Sequence, residues 1–197
     1  MAKAIIFDVS GVLTDDDLPS QVEAFAESHG LAFSTAWEAI DIMNYSQAAV
    51  GAKTPEEMHR TAVSRMGIDM SYDEFVSMHR TAYRVRPEMI GLVNALHGQV
   101  RLFVLSNQTT LSAAILRPII DPLFEKAFYS NETGMKKPDH RFFRLLLEET
   151  GLKPEECIFI DDKIDNVAGA WELGMKAILF RGKESLIREL QSLGISV

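Results

Sequence analysis

The strongest constraint on the fold is a series of short apolar runs that each end in a polar residue. The first run, Ala4–Phe7, is continuous and rich in β-branched residues, and it ends at Asp8. Such a run is typical of a strand buried on both faces of a parallel sheet. From Pro87 onward, similar runs alternate with segments of helical periodicity. The sequence therefore predicts an α/β fold, with a mostly parallel sheet flanked by helices.

The same alternation gives approximate bounds for the later elements. We expect strands at residues 100–105, 127–129, 157–160 and 176–180. We expect helices at residues 87–97, 140–150, 166–173 and 184–193.

The segment after the first strand has a different character. Between residues 18 and 83 apolar side chains recur at helical spacing, and no good strand pattern is present. Ser34, Thr54 and Ser71 stand where an N-cap could begin a helix. The pattern predicts a run of successive helices.

We therefore predict two domains. A small all-helical domain, residues 15–85, is inserted after the first strand. The α/β core consists of residues 1–14 and 86–197.

Composition excludes several classes of protein. The 197 residues are 47% hydrophobic and 24% charged, which is typical of a globular domain. Twenty basic and 28 acidic side chains give a net charge of −8, which disfavours nucleic acid as a partner. The first apolar stretch is too short for a signal peptide, and no segment is long enough to span a membrane. We expect a cytoplasmic protein whose single cysteine, Cys157, is a buried core thiol.

The residues that end the apolar runs are the candidate site. Ligands of open α/β sheets bind outside the carboxyl ends of the strands. Asp8 there could be a nucleophile or a metal ligand, and Ser106 could donate to an anion. Lys137 offers a cation, and Asp161 and Asp162 offer hard oxygen ligands.

These groups together fit phosphate chemistry. A phosphate monoester carries about two negative charges, so a carboxylate cannot approach it without charge compensation. Mg²⁺ would bridge the phosphate and the acidic cluster, and Lys137 would hold another phosphate oxygen. Asp8 could then attack phosphorus and give an aspartyl-phosphate that water cleaves.

Four sequence motifs carry a resemblance to a known family. The segments "IIFDVSGVLT", "VLSNQT", "GMKKPD" and "CIFIDDKIDNVAGA" resemble, in order and spacing, the motifs of the haloacid dehalogenase superfamily. The helical insert resembles the α-helical cap that some members carry at the first position. Within the superfamily, the chain is similar to small sugar-phosphate phosphatases, of which α-D-glucose-1-phosphate phosphatase is one. The resemblance implies a Rossmann-like core, Mg²⁺ as cofactor and a small phosphorylated metabolite as substrate.

The resemblance also implies a role for each motif residue. The implied catalytic residues are Asp8 and Lys137. The implied phosphate-binding residues are Ser10, Gly11, Ser106, Asn107 and Lys137. The implied metal ligands are Asp8, the backbone carbonyl of Ser10, Asp161 and Asp162.

One position departs from the pattern of the family's phosphatases. Most of them have an aspartate two residues after the nucleophile, where it protonates the leaving group and activates water. This chain has Ser10 there, and losing general acid–base help costs about 10²–10⁴-fold in rate. We expect slow hydrolysis or a preference for good leaving groups. Asp15, Asp16 or Asp17 could substitute, although a solvated acidic turn is the simpler interpretation.

Two other functions stay open at this stage. A dehalogenase would use the same nucleophile without a divalent metal, but the pair Asp161 and Asp162 favours a metal. A regulatory module that binds phosphate without turnover is the second, and Ser10 is its support. Trp37, Met43, Tyr45, Met58, Met66 and Met78 could line a substrate pocket or pack a helical core. The oligomeric state cannot be predicted.

Overall fold

The computed structural model describes residues 2–42 and 45–197. Its strands are β1 (Ala4–Phe7), β2 (Thr14–Asp16), β3 (Tyr83–Val85), β4 (Arg101–Ser106), β5 (Lys126–Tyr129), β6 (Cys157–Asp161) and β7 (Lys176–Leu179). Five of them form one sheet in the order β5-β4-β1-β6-β7, and every neighbouring pair is parallel. The predicted α/β fold with a parallel, Rossmann-like sheet is confirmed.

Helices cover the sheet and build the insert. They are α1 (Leu18–Ser28), α2 (Phe33–Trp37), α3 (Tyr45–Ala48), α4 (Pro55–Met66), α5 (Tyr72–Ala82), α6 (Pro87–Leu96), α7 (Thr110–Ile120), α8 (Ser130–Thr133), α9 (His140–Thr150), α10 (Ile164–Glu172) and α11 (Lys183–Ser192). A π-helical segment, Glu38–Ile42, extends α2. Each core element predicted from the sequence is present within two residues of its expected bounds.

Alternate residues of β1 point to opposite faces of the sheet, each of which packs against a separate apolar cluster. Ile5 and Phe7 belong to the cluster on one face, and Ala4 and Ile6 to the cluster on the other. All four side chains are fully buried. Continuous burial explains why the run is apolar at every position rather than at alternate ones. Cys157 lies in the second cluster, and burial raises the pKa of its thiol to about 12, as expected for a core cysteine.

The helices between β2 and β3 pack around a third apolar cluster. Val22, Phe25, Met58 and Phe75 are members, and Leu111 of α7 joins them from the α/β core. Met58, Met66 and Met78 pack in this cluster, so the helical-core interpretation holds for these three. Met43 and the side chain of Tyr45 lie outside what the structure describes. The domain bounds at residues 15 and 85 stay a prediction.

Two sequence expectations in the insert were wrong. Residues 14–16 and 83–85 form an antiparallel ribbon, β2–β3, where no strand was expected. The sequence of β2, Thr-Asp-Asp, does not alternate apolar with polar residues. Such alternation is absent because the ribbon is paired on one edge and largely exposed. Ser34 does not cap a helix: α2 begins at Phe33, and Ala32 occupies the N-cap position without a side-chain hydrogen bond.

The helices of the described residues also differ from those that span a membrane. None of their helices combines the length and apolar character needed to cross a bilayer.

Candidate active site

Asp8 lies at the centre of the sheet's carboxyl edge, because β1 is the middle strand. The residue is only 4% exposed. Oδ1 of Asp8 accepts hydrogen bonds from the Ser106 hydroxyl at 2.7 Å and from the backbone N–H of Val9 at 2.7 Å. Ser106 ends the neighbouring strand β4, so the parallel pairing itself brings the two side chains together.

Lys137 connects two carboxylates at this edge. Its Nζ lies 2.9 Å from Oδ1 of Asp8 and 2.6 Å from Oδ2 of Asp161, and the residue is 2% exposed. Burying an ammonium group is costly unless opposite charge is paired with it, and these two carboxylates provide that charge. The neighbouring Lys136 is exposed.

Asn107 fixes the loop that carries Lys137. Its Nδ2 donates to the backbone carbonyl of Lys137 at 2.9 Å, and its Oδ1 accepts from the backbone N–H of Lys137 at 2.8 Å. The side-chain amide therefore holds the lysine in place. The predicted contact of Asn107 with phosphate stays a prediction.

Asp161 is fully buried and surrounded by donors. Nδ2 of Asn166 lies 3.0 Å from both of its carboxylate oxygens, and the backbone N–H of Lys163 donates to Oδ1 at 2.8 Å. Sequence reasoning missed Asn166, which looked like an ordinary helix-start residue. Asp165 lies in the first turn of that helix and is exposed.

Asp162 has a different environment. Its Oδ1 is buried and has no hydrogen-bond partner among the described residues. Oδ2 lies against Gly11, where an added Cβ would approach to 2.5 Å. Gly11 has φ +78°, so the turn after Asp8 both requires glycine and leaves room for this carboxylate.

The carboxylates of Asp8, Asp161 and Asp162 form one cluster, with an oxygen from each lying within 4.8 Å of the others. Burial raises the pKa of Asp8 to about 7; Lys137 opposes this shift, and Asp161 adds to it. Burial, followed by the negative charge of Asp161, also raises the pKa of Asp162. A divalent cation would compensate this charge, and hard carboxylate oxygens of this kind are the ligands that Mg²⁺ prefers. The residues present therefore fit such an ion.

Gln108 is a second residue that sequence reasoning missed. Its Nε2 donates to the Ser10 hydroxyl at 3.0 Å and to the Ser106 hydroxyl at 3.1 Å, and the residue is 1% exposed. The only signal in the sequence is that Gln108 stands within the "VLSNQT" motif.

A cavity of about 190 Å³ opens beside Ser10. Its lining comes from both the insert and the core: Ser10, Asp16, Leu18, Pro19, Trp37, Tyr83, Gln108, Ser112 and Lys163. Trp37 lines this pocket and also packs against the apolar cluster of the insert, so both sequence interpretations apply to it. Asp16 borders this pocket, whereas Asp15 and Asp17 form ion pairs with Arg86 and Arg84.

One protein family matches most of the chain. A sequence model of the haloacid dehalogenase-like hydrolases matches residues 2–174. The protein belongs to the haloacid dehalogenase-like hydrolase family. It is thus a hydrolase, and its fold and the four motifs agree with that assignment.

Three individual relatives each share less than a third of their aligned residues with this chain. The sesquiterpene phosphatase astK of Aspergillus oryzae is 28% identical over 97% of this chain and 96% of its own. The drimenol cyclase drtB of Aspergillus calidoustus is also 28% identical, but this chain spans only 37% of its length. A haloacid dehalogenase family enzyme of Bacteroides thetaiotaomicron, solved with magnesium and inorganic phosphate, is 22% identical. It has a TM-score of 0.79 and covers 90% of this chain and 93% of its own.

Proposed function

We propose that this protein is a Mg²⁺-dependent phosphatase that hydrolyses a small phosphorylated metabolite through an aspartyl-phosphate on Asp8. The proposal is carried by the carboxylate of Asp162: its Oδ1 is buried without a partner among the described residues, and the residue offers an oxygen within 4.8 Å of oxygens of Asp8 and Asp161. An unpaired buried carboxylate oxygen is costly unless a cation occupies the space beside it.

The residues that would hold the ion are Asp8, Asp162 and the backbone carbonyl of Ser10. When bound, Mg²⁺ supplies charge compensation for the phosphate. Asp161 was also a predicted ligand. Its hydrogen bonds with Lys137 and Asn166 favour a supporting role, in which it adds negative charge and fixes the ammonium group.

The side chains divide the chemical steps among them. Ser106 and Lys137, which donate to Oδ1 of Asp8, orient the Asp8 carboxylate and can bind phosphate oxygens. Asp8 forms a bond to phosphorus while the bond from phosphorus to the leaving oxygen breaks. Water then attacks phosphorus, releases inorganic phosphate and restores the Asp8 carboxylate.

The cavity beside Ser10 supports a small leaving group. Its volume, about 190 Å³, is below the roughly 300–1,000 Å³ of typical drug-sized ligand pockets. Polar groups at Ser10 and Gln108 suit the hydroxyls of a sugar phosphate, the class that the sequence motifs suggest. The walls formed by Leu18, Pro19 and Trp37 would also contact one end of an apolar group, such as the sesquiterpene in the name of the Aspergillus oryzae relative.

A phosphate-release screen tests the proposal. Sugar phosphates, terpenyl phosphates and small phosphoacids are incubated with the protein, once with Mg²⁺ and once with EDTA. We expect release that requires Mg²⁺ and is lost in Asp8→Asn. The exposed Asp69→Asn variant, with the same charge change, should keep the parent rate. Equal release by Asp8→Asn and the parent would overturn the role of Asp8.

Two outcomes would favour the alternatives. Turnover of a 2-haloacid that survives EDTA would indicate a dehalogenase. A regulatory module is favoured specifically by Ser10, which lacks the carboxylic acid of most family phosphatases. It would bind inorganic phosphate with Mg²⁺, measured as thermal stabilisation, and release no product from any substrate in the screen.

A further inference from the structure

The Gln108 side chain joins hydroxyl groups from two strand ends. Nε2 donates to Ser10, which follows β1, and to Ser106, which ends β4. The backbone of Gln108 is itself held by one hydroxyl, because Ser130 Oγ accepts from its N–H at 3.0 Å and donates to its carbonyl at 3.2 Å. Gln108 is thus a buried, fixed group rather than a mobile loop side chain.

The two amide hydrogens determine where the serine hydrogens point. An amide NH₂ offers two donors, and a hydroxyl that accepts one of them must direct its own hydrogen elsewhere. The Ser106 hydrogen goes to Oδ1 of Asp8 at 2.7 Å. The Ser10 hydroxyl donates to no group in residues 2–42 and 45–197, and it borders the cavity. Its hydrogen is therefore available to a ligand there.

We propose that Gln108 is a positioning residue that directs the Ser10 hydroxyl hydrogen into the cavity, where it donates to the leaving-group oxygen. This inference rests on the proposed phosphatase function. Through Ser106, the same amide also supports the orientation of Asp8. Ser10 is then a fixed hydrogen-bond donor at the position where most family phosphatases have an acid.

The chemical consequence concerns the bond from phosphorus to the leaving oxygen. As this bond breaks, its electron pair stays on the departing oxygen, which gains negative charge. The Ser10 hydroxyl stabilises that charge by a hydrogen bond and keeps its proton, and the departing oxygen takes a proton from water. The stabilisation is worth more for basic leaving groups, because they carry more charge in the transition state.

The test compares two substrates that differ only in the leaving group. Phenyl phosphate has a poor leaving group and p-nitrophenyl phosphate a good one, and kcat/KM is measured for both with saturating Mg²⁺. Gln108→Met keeps the side-chain length and removes both donors. We expect it to lower the ratio of kcat/KM for phenyl to p-nitrophenyl phosphate about fivefold. Ser10→Ala should lower the ratio similarly, and the double variant no further.

A second substitution at Gln108 reverses the hydrogen bonds. The carboxylate of Gln108→Glu only accepts, so it would draw the Ser10 hydrogen out of the cavity and the Ser106 hydrogen away from Asp8. We expect Gln108→Glu to lower the ratio of kcat/KM for phenyl to p-nitrophenyl phosphate more than Gln108→Met does, and to lower the rate with both substrates. Gln99→Glu, an exposed site with the same charge change, should leave both rates unchanged.

The outcomes separate this inference from the function on which it rests. A parent protein that releases phosphate from neither substrate, nor from any in the screen, rejects the phosphatase and the inference together. An active parent whose ratio is unchanged in Ser10→Ala rejects the inference alone, even if the Gln108 variants do not fold. An unchanged ratio in a folded Gln108→Met does the same, since a merely structural residue would slow both substrates equally.

Discussion

Two adjacent aspartates at the end of β6 have opposite environments. Asp161 accepts hydrogen bonds from Lys137, from Asn166 and from a backbone N–H, so its charge is compensated within the protein. Asp162 has a buried oxygen with no partner in the described part of the chain. At the scale of single residues, we therefore propose that Asp161 supports the site and that Asp162 binds the cation.

Asp162→Asn should have effects of opposite sign on stability and on metal binding. In EDTA we expect a higher melting temperature than that of the parent, because burial disfavours this carboxylate and raises its pKa. In Mg²⁺ titrations followed by calorimetry we expect affinity to fall by at least about tenfold. Asp165→Asn, three residues away and exposed, is the matched control and should change neither. Unchanged Mg²⁺ affinity in Asp162→Asn would contradict the assignment.

Gly11 provides the space that Asp162 occupies. In Gly11→Ala the new Cβ would meet Oδ2 of Asp162 at 2.5 Å, so we expect Mg²⁺ affinity to fall roughly tenfold or more. Gly98→Ala is the control: Gly98 has φ +80°, close to the +78° of Gly11, but no atom lies within 4 Å of its added Cβ. Both variants bear the strain of positive φ, but only Gly11→Ala adds a contact with a carboxylate of the site. Equal Mg²⁺ affinity in the two variants would exclude the steric role.

At the scale of elements, capping residues decide where the helices of the insert begin. The Thr54 hydroxyl accepts from the backbone N–H of Glu57 at 3.2 Å, and the Glu57 carboxylate accepts from the Thr54 N–H at 2.9 Å. Both halves of a capping box are present at α4. Ser34 also stands before a helical pattern but makes no such bond, because the N-cap position of α2 falls on Ala32, two residues earlier. A serine before a helical pattern thus predicts that a helix forms, but it predicts less well the residue at which the helix begins.

Thr54→Ala should lower the free energy of unfolding by about 1 kcal/mol, since it leaves an N–H at the start of α4 without its partner. Ser34→Ala removes a hydroxyl of similar exposure that caps nothing, and its effect should stay within about 0.5 kcal/mol. Urea unfolding followed by circular dichroism measures both. A loss in Ser34→Ala equal to that in Thr54→Ala would show that the capping bond is not the cause.

At the scale of the whole molecule, the insert and the core share the site. The cavity beside Ser10 takes Leu18, Pro19 and Trp37 from the insert and Gln108 from the core. The β2–β3 ribbon connects the two, and the apolar cluster of the insert includes Leu111 of the core helix α7. A ligand between them would contact both parts, so closure of the helical insert over the core would exclude water from the reacting phosphate.

Tryptophan fluorescence can report that closure. Trp37 lines the cavity, whereas Trp171 is 71% exposed on α10. In Trp171→Phe, Mg²⁺ with inorganic phosphate should shift the emission of Trp37 to shorter wavelength as water leaves the cavity. Trp37→Phe, which retains only Trp171, should show no shift. If only the Trp37→Phe variant shows an emission shift, the change in environment lies at Trp171 on α10 instead.

The sequence by itself determined the parallel α/β sheet, its strand ends and the polar residues at those ends. Apolar runs such as Ala4–Phe7 are long enough to specify burial, and parallel strands necessarily present their carboxyl ends at one edge. For this reason the order of apolar runs and polar ends is enough to predict that Asp8, Ser106 and Asp161 lie together. The helical insert followed in the same way from its periodicity and caps.

Only the tertiary structure decided which role each residue of the site has. The roles of Asn107, Gln108 and Asn166 depend on hydrogen bonds between residues distant in the chain, or on side-chain directions that no periodicity encodes. The contrast between Asp161 and Asp162 likewise comes from burial and from which donors surround each carboxylate. Local sequence patterns record which face a residue occupies, but partners across strands and loops are set when the chain packs.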